Sequence, residues 1–195
     1  MRILGIESSS LVASVAVVTD GVVTAEYTVN FKKTHSQTLL PMLDEIVRMV
    51  ELDLETVDAI AVSGGPGSFT GLRIGSATGK GLGLALKKPL IHIPTVDGMA
   101  YGMYGYGGLV CPIMDARRNQ VYTGIYDNRE GFTAVREQCA MDIDELVDEL
   151  NNMETRVVFL GDGVPVYSER IAERMTVPFS FAPAHINRQL SLIHI

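Results

Sequence analysis

The sequence predicts an α/β protein of two lobes, each with the element order βββαβα. Three observations support this fold class: short β-branched segments alternate with segments of helical apolar spacing, this order occurs twice along the 195 residues, and the glycine-rich stretch Gly98–Gly108 separates the two occurrences. A repeated supersecondary pattern is stronger evidence for a fold than any single element. We therefore predict an N-terminal lobe over 1–100 and a C-terminal lobe over 101–195.

Local patterns define the elements of the first lobe. Asp20-Gly21 is a typical hairpin turn between two β-branched segments. Apolar residues recur at helical spacing after residue 35, and a second helix is expected to end before Pro89. The predicted strands are 2–7, 12–18, 22–30 and 57–63, and the predicted helices are 35–51 and 71–87.

The second lobe repeats this order. Its first helix is predicted to open with Asp142, and its second has Pro165 in the first turn, where proline is favoured. The predicted strands are 109–114, 120–126, 132–138 and 157–161, and the predicted helices are 142–153 and 165–175. Two such lobes around a cleft resemble the plan of the actin, Hsp70 and sugar-kinase superfamily.

The composition is that of a folded protein and disfavours several function classes. Hydrophobic residues make up 47% of the chain, and 16 Lys plus Arg against 23 Asp plus Glu give a net charge of −7. Stand-alone nucleic-acid binding is disfavoured, because affinity for phosphate comes from basic side chains. Cys111 and Cys139 cannot form a disulfide framework or a four-cysteine zinc site. Two cysteines fit a reduced, cytoplasmic compartment, and no apolar run reaches the length of a membrane span, so we expect no membrane contact.

Two loops could hold a phosphate group. Glu7–Ser10 lies between the first two strands, although an ordinary polar turn explains it equally well. Ser63–Gly75 joins a strand to a helix, where glycines allow close approach and a helix N-terminus attracts anions. The alternative is a tight turn with Ser68 or Thr70 as the N-cap. The candidate nucleotide-binding residues are Glu7, Ser8, Ser9, Ser10, Gly65, Gly67, Ser68 and Thr70.

No catalytic or metal-binding residue is predicted. Gly75–Gly81 resembles a P-loop, but it has too few residues between its glycines, and Gly81 stands where Ser or Thr should bind magnesium. The histidines do not form a pair on one helical face, and no Ser–His–Asp or Cys–His arrangement can be argued from their positions. They are His35, His92, His185 and His194.

A glycine repeat marks the second predicted helix. Glycines every four residues, from Gly71 to Gly83, form a ridge, and each costs about 1 kcal/mol relative to Ala in a helix interior. The ridge could pack against the protein's own sheet or against a partner helix. The wide apolar stripe of helix 35–51 favours the partner. The predicted partner-binding residues are Leu39, Leu40, Met42, Leu43, Ile46, Val47, Val50, Gly71, Gly75, Gly79 and Gly83.

Four strings resemble the TsaB (YeaZ) family, the non-catalytic subunits of the bacterial tRNA threonylcarbamoyladenosine machinery. They are Ile3–Ser9, His35–Met42, Gly65–Gly75 and Asp115–Tyr122. The resemblance extends from residue 1 to about 187. The catalytic paralogue TsaD shares the opening string but has a metal-binding histidine pair that this sequence lacks.

The resemblance implies a role without intrinsic catalysis. Family members pair with TsaD and with the ATPase TsaE to transfer a threonylcarbamoyl group to the adenosine next to the tRNA anticodon. The resemblance also implies that the helices 35–51 and 71–87 contact TsaD or form a homodimer. It implies that tRNA is contacted only through the complex. No intrinsic cofactor is implied, although ATP or ADP could bind at a partner interface. The alternatives are an ATP-dependent kinase or hydrolase of this superfamily and a purely structural homodimer; a peptidase would need a metal or nucleophile site that the sequence does not indicate.

The end of the chain departs from the family pattern. Family members continue with a further helix and tail, whereas residues 190–195 resemble a translated sequencing adapter. We therefore expect a non-native tail there and a truncated second lobe.

Overall fold

The computed structural model describes residues 1–31, 34–183 and 186. It divides into two compact units, Met1–Gly98 and a second unit that begins at Met99. The expected non-native tail at 190–195 lies outside the described residues. Among the helices within those residues, none is both long and apolar enough to cross a membrane.

The first unit is a five-stranded sheet with helices packed on it. A 3-10 turn, Leu54–Thr56, precedes β4, and a short helix follows β5. The strands are β1 (Arg2–Glu7), β2 (Ala13–Thr19), β3 (Val22–Val29), β4 (Ala59–Ser63) and β5 (Leu90–Ile93). The helices are α1 (His35–Met49) and α2 (Phe69–Leu86), and the short helix α3 (Thr95–Tyr101) includes the boundary between the two units.

The second unit repeats this plan. Its strands are β6 (Leu109–Arg117), β7 (Gln120–Asp127), β8 (Thr133–Asp142), β9 (Val157–Leu160) and β10 (Phe179–Phe181). Its helices are α4 (Ile143–Asn152) and α5 (Val164–Arg174).

The two sheets have the same strand order, which confirms the predicted duplication. The orders are β3-β2-β1-β4-β5 and β8-β7-β6-β9-β10. In each sheet the first three strands are antiparallel neighbours, and the last two extend the first strand in parallel. The fifth strand of each sheet was not predicted, so each unit is βββαβαβ.

Helix α1 lies on the first sheet through its apolar stripe. Its core residues have exposed fractions of 6% or less and belong to one apolar cluster with residues of β1, β2 and β4. Their burial contradicts the prediction that they contact a partner, because a side chain inside the core is not available to another protein. These residues are Leu39, Met42, Leu43 and Ile46. Val47 and Val50 are partly buried against the same core, and Leu40 is exposed.

The glycine-rich stretch that separates the two predicted lobes is partly helical. The stretch 98–108 begins inside α3, and turns follow this helix up to the start of β6. Val96 and Ala100 of α3 are completely buried, which gives the helix an apolar face. Gly98 therefore lies within a packed helix, and only the later glycines are in turns.

Candidate functional site

The glycine-rich loop, residues Gly64–Ser68, connects the carboxyl end of β4 to the start of α2. Ser68 caps the helix: its Oγ accepts a hydrogen bond from the Gly71 N–H at 3.2 Å. Gly65 has a φ of 99°, a left-handed conformation that favours glycine. We call Ser8–Ser10, which follow β1, the serine loop. A Cβ at Gly67 would lie 2.4 Å from the Ser9 carbonyl oxygen, so only glycine lets the glycine-rich loop come this close to the serine loop.

The serine loop after β1 is fastened to α2 and to α1. The Ser8 Oγ donates a hydrogen bond to the Gly71 carbonyl at 2.9 Å, and the Ser68 N–H donates to the Ser9 carbonyl at 2.6 Å. On the other side, the His35 Nε2 lies 2.8 Å from the Ser10 carbonyl. The predicted site residues of both loops therefore do come together, and they hold each other in place.

Glu7 ends β1 with a buried carboxyl group. Its side chain is 1% exposed, and its Oε1 accepts a hydrogen bond from the Ser9 N–H at 2.5 Å. Burial raises the pKa of Glu7 to about 7, and hydrogen bonds, chiefly from Ser9, oppose this rise. Glu7 is thus a group that takes part in packing rather than a solvent-facing acid.

The serine loop does not offer an open cradle to a phosphate. The Ser8 N–H donates to the Ser63 Oγ at 3.3 Å, and the Ser9 N–H is already bonded to Glu7. Ser8 and Ser9 are both buried, whereas Ser68 and Thr70 are exposed. A nucleotide phosphate at the N–H groups of Ser8 and Ser9 does not fit this arrangement, because it would have to replace their hydrogen bonds to Ser63 and Glu7. In the described part of the chain, no three His, Cys, Asp or Glu side chains come together to hold a metal ion.

The four ridge glycines of α2 face the sheet, so the prediction that they contact a partner is wrong. A Cβ at Gly71 would lie 2.0 Å from the Ser8 carbonyl oxygen, and one at Gly75 would lie 2.1 Å from the Ser8 Oγ. At Gly79 it would lie 2.5 Å from the Val62 Cγ1, and at Gly83 it would lie 3.1 Å from the Lys88 carbonyl oxygen. The glycines let α2 lie close to β1 and β4.

The opposite face of α2 is exposed and carries apolar and small residues that the sequence analysis did not select. Phe69 is 74% exposed beneath the Arg73 guanidinium, at 4.9 Å from the ring centroid, and Leu84 is 83% exposed. Between them, the exposed residues Ala77 and Gly81 are one turn apart. The spacing of small residues at 77, 81 and 85 was visible in the sequence, but the longer glycine repeat beside it was more conspicuous.

Helix α1 extends this exposed apolar surface, because it packs beside α2. Leu40 is 55% exposed, and Met49 is 75% exposed. Met49 lies nine positions after Leu40, on the opposite side of α1, so only Leu40 extends the exposed face of α2. We call this exposed surface the outer helical face; its members are Leu40, Phe69, Arg73, Ala77, Gly81 and Leu84. Large apolar side chains concentrated on a surface are typical of a contact with another macromolecule.

The fold is that of the actin-like ATPase class, and similarity to solved structures supports this assignment. The ethanolamine utilization protein EutJ from Carboxydothermus hydrogenoformans superposes with a TM-score of 0.60 over all of this chain and 89% of that one; at 10% identity this shows the fold alone. YeaZ from Pseudomonas aeruginosa superposes with a TM-score of 0.82 and 25% identity, over 99% of this chain and 89% of that one.

The family model for TsaD, tRNA N6-adenosine threonylcarbamoyltransferase, matches residues 22–192. The TsaB protein of threonylcarbamoyladenosine biosynthesis from Bacillus subtilis is 33% identical over 175 residues, which are 89% of this chain and 76% of that protein. By contrast, a threonylcarbamoyltransferase from Protochlamydia amoebophila matches over only 52% of this chain and 34% of its own length. The chain belongs to the TsaB (YeaZ) family, and its relatives take part in threonylcarbamoyladenosine biosynthesis on tRNA.

Proposed function

We propose that this protein is a non-catalytic, activating scaffold subunit that pairs with a TsaD-like catalytic subunit. That subunit transfers a threonylcarbamoyl group to the adenosine beside the tRNA anticodon. The outer helical face is the observation that carries this proposal, because it exposes Phe69 and Leu84 on a helix whose other side is fully packed. The Ser8 and Ser9 N–H groups are already hydrogen-bonded to Ser63 and Glu7, so they are not available to a substrate phosphate, which further supports a non-catalytic role.

The other components of the complex follow from this proposal. A TsaE-like ATPase joins the pair, tRNA reaches this subunit only as part of the complex, and the location is the cytoplasm. A homodimer uses the same outer helical face when TsaD is absent. ATP or ADP binds at the interface with a partner, where that partner supplies the groups that the closed loops do not offer.

Leu84→Asp is expected to abolish docking without unfolding the protein. Leu84 is 83% exposed, so its replacement leaves the core intact, but a carboxylate on the outer helical face would have to give up its hydration at an apolar contact in the complex. The lost apolar contact and the desolvated carboxylate together should weaken the interface at least about tenfold. Co-purification with the TsaD-like protein of the same genome measures this, together with the melting temperature of each variant.

Val166→Asp is the matched control, because Val166 is likewise exposed, at 57%, but belongs to α5 of the second unit. It should bind the TsaD-like protein normally. Equal binding by Leu84→Asp and the unchanged protein would place the interface elsewhere. ATP turnover by the pure chain would support the kinase or hydrolase alternative instead.

A further inference from the structure

The segment Asp115–Tyr122 forms the turn of the β6–β7 hairpin and the strand ends beside it. The proposed function assigns this segment no role. Arg117 pairs with Gln120, so the connecting loop consists of Arg118 and Asn119 alone. The φ angles of Arg117, Arg118 and Asn119 are 70°, 54° and 62°. Two-residue loops with positive φ strongly favour Asn-Gly, and left-handed backbone is disfavoured for a residue with a long side chain. The tip therefore places two arginines in a conformation that suits glycine.

The tip is held in this conformation from both sides. The Asp115 Oδ1 accepts a hydrogen bond from the Arg117 N–H at 2.9 Å, and the Tyr167 hydroxyl lies 3.1 Å from the same oxygen. The Asn119 carbonyl accepts from the N–H of Ile143, the first residue of α4, at 2.9 Å. The hairpin tip is thus braced by α4 and α5 rather than free to relax.

Both arginines of the tip are exposed, and in the part of the chain that the structure describes only Arg117 lies near a carboxylate. Among the described residues from Met99 onward, most arginines lie within 4 Å of a carboxylate; the close pairs are Arg129–Asp127, Arg136–Glu149, Arg170–Asp144 and Arg174–Asp148. Arg117 has an 87% exposed side chain with its Nε 3.7 Å from the Asp115 Oδ2. Arg118 is exposed and has no carboxylate within this distance among the described residues. The tip therefore presents two guanidinium groups to solvent.

We propose that the Arg117–Arg118 hairpin tip contacts backbone phosphates of an RNA. A guanidinium binds phosphate through two parallel hydrogen bonds. Because the backbone of the hairpin tip is already fixed, less conformational entropy is lost on binding. The inference rests on the proposed function, which brings tRNA to the complex. An acidic protein segment is a weaker candidate, because the tip from Arg117 to Gln120 exposes only polar side chains, whereas protein interfaces centre on apolar ones.

The test is binding of a fluorescently labelled RNA anticodon stem-loop to the full chain, both alone and with its TsaD-like partner. The double variant Arg117→Ala/Arg118→Ala should bind about tenfold more weakly. Its slope of log affinity against log salt should fall by about 1 to 2, because each neutralised phosphate contributes about 0.7 to 0.9. Arg118→Ala alone should lose part of the affinity, whereas Arg156→Ala, another exposed arginine without an ion pair among the described residues, should lose none.

Arg118→Gly separates a binding role from a purely structural one. Glycine suits the φ of 54°, so the melting temperature should rise while RNA affinity falls. Unchanged RNA binding by this variant, an equal loss in Arg156→Ala, or no RNA binding by the unchanged protein in either form would overturn the proposal. Preferential binding of a poly-glutamate peptide at the tip would also overturn it. Co-purification with the TsaD-like protein, measured on the same variants, shows separately whether the docking proposal holds.

Discussion

Gly75→Leu is expected to unfold the protein or to lower its stability by at least about 3 kcal/mol. The new Cβ would lie 2.1 Å from the Ser8 Oγ, which donates a hydrogen bond to the Gly71 carbonyl. Overpacking typically costs about 1–3 kcal/mol, and a buried polar group that loses its partner costs about as much again. Thermal unfolding followed by circular dichroism measures the loss.

The same substitution six residues later on α2, on a different face of the helix, is the matched control. A Cβ at Gly81 would meet no atom within 4 Å, so Gly81→Leu should gain helix propensity, up to about 1 kcal/mol. The two variants have the same composition and helix, and they differ only in which face receives the side chain. A Gly75→Leu protein as stable as Gly81→Leu would mean that the ridge glycines do not pack on the sheet.

Glu7→Gln is expected to make the protein more stable at pH 8 and to leave its stability at pH 4 nearly unchanged. The pKa of Glu7 is raised from 4.5 to about 7 by burial. Between these two pH values the folded state keeps a proton that the unfolded chain has lost. The stability that Glu7 contributes is therefore complete below pH 4.5 and is lost as the pH rises through 7. The full difference is about 3 kcal/mol.

Urea unfolding at a series of pH values tests this, because glutamine keeps the acceptor for the Ser9 N–H but carries no charge. The free energy of unfolding of Glu7→Gln should vary less between pH 4.5 and 7 than that of the unchanged protein. Glu137→Gln, at an exposed position on β8, should follow the unchanged protein. Parallel curves for Glu7→Gln and the unchanged protein would contradict the assignment of a shifted pKa to Glu7.

The sequence predicted the duplicated order of elements because each longer element has its own periodic apolar pattern. The missed strands, β5 and β10, are short edge strands of four and three residues. Such segments have too few residues to show an apolar periodicity. Strand β5 pairs with β4 and β10 pairs with β9, and these pairings depend on tertiary contacts. Helix α3 was missed because Gly98, inside it, is typical of a turn.

The candidate site was predicted in part, since the serine and glycine-rich loops do lie together. Sequence spacing revealed that the α2 glycines share one face, but it could not reveal which way that face points. The direction is decided by Ser8 and Val62, which belong to parts of the chain far from α2 in sequence. The burial of Glu7 was hidden for the same reason, because an acidic residue at a strand end is usually exposed.

The mixed pairing of each sheet implies an order of folding. In the first sheet, β1 pairs locally with β2, as Ile6 does with Val15, but Ile3 of the same strand pairs in parallel with Ala59. Closing the longer loop costs more chain entropy, so the antiparallel meander should form first and the parallel strand should be added late. Until then, the other edge of β1 has unsatisfied backbone groups that could pair with another nascent chain. The interval before β4 docks is therefore when this protein is most prone to aggregate, and the same holds for β6 before β9 docks.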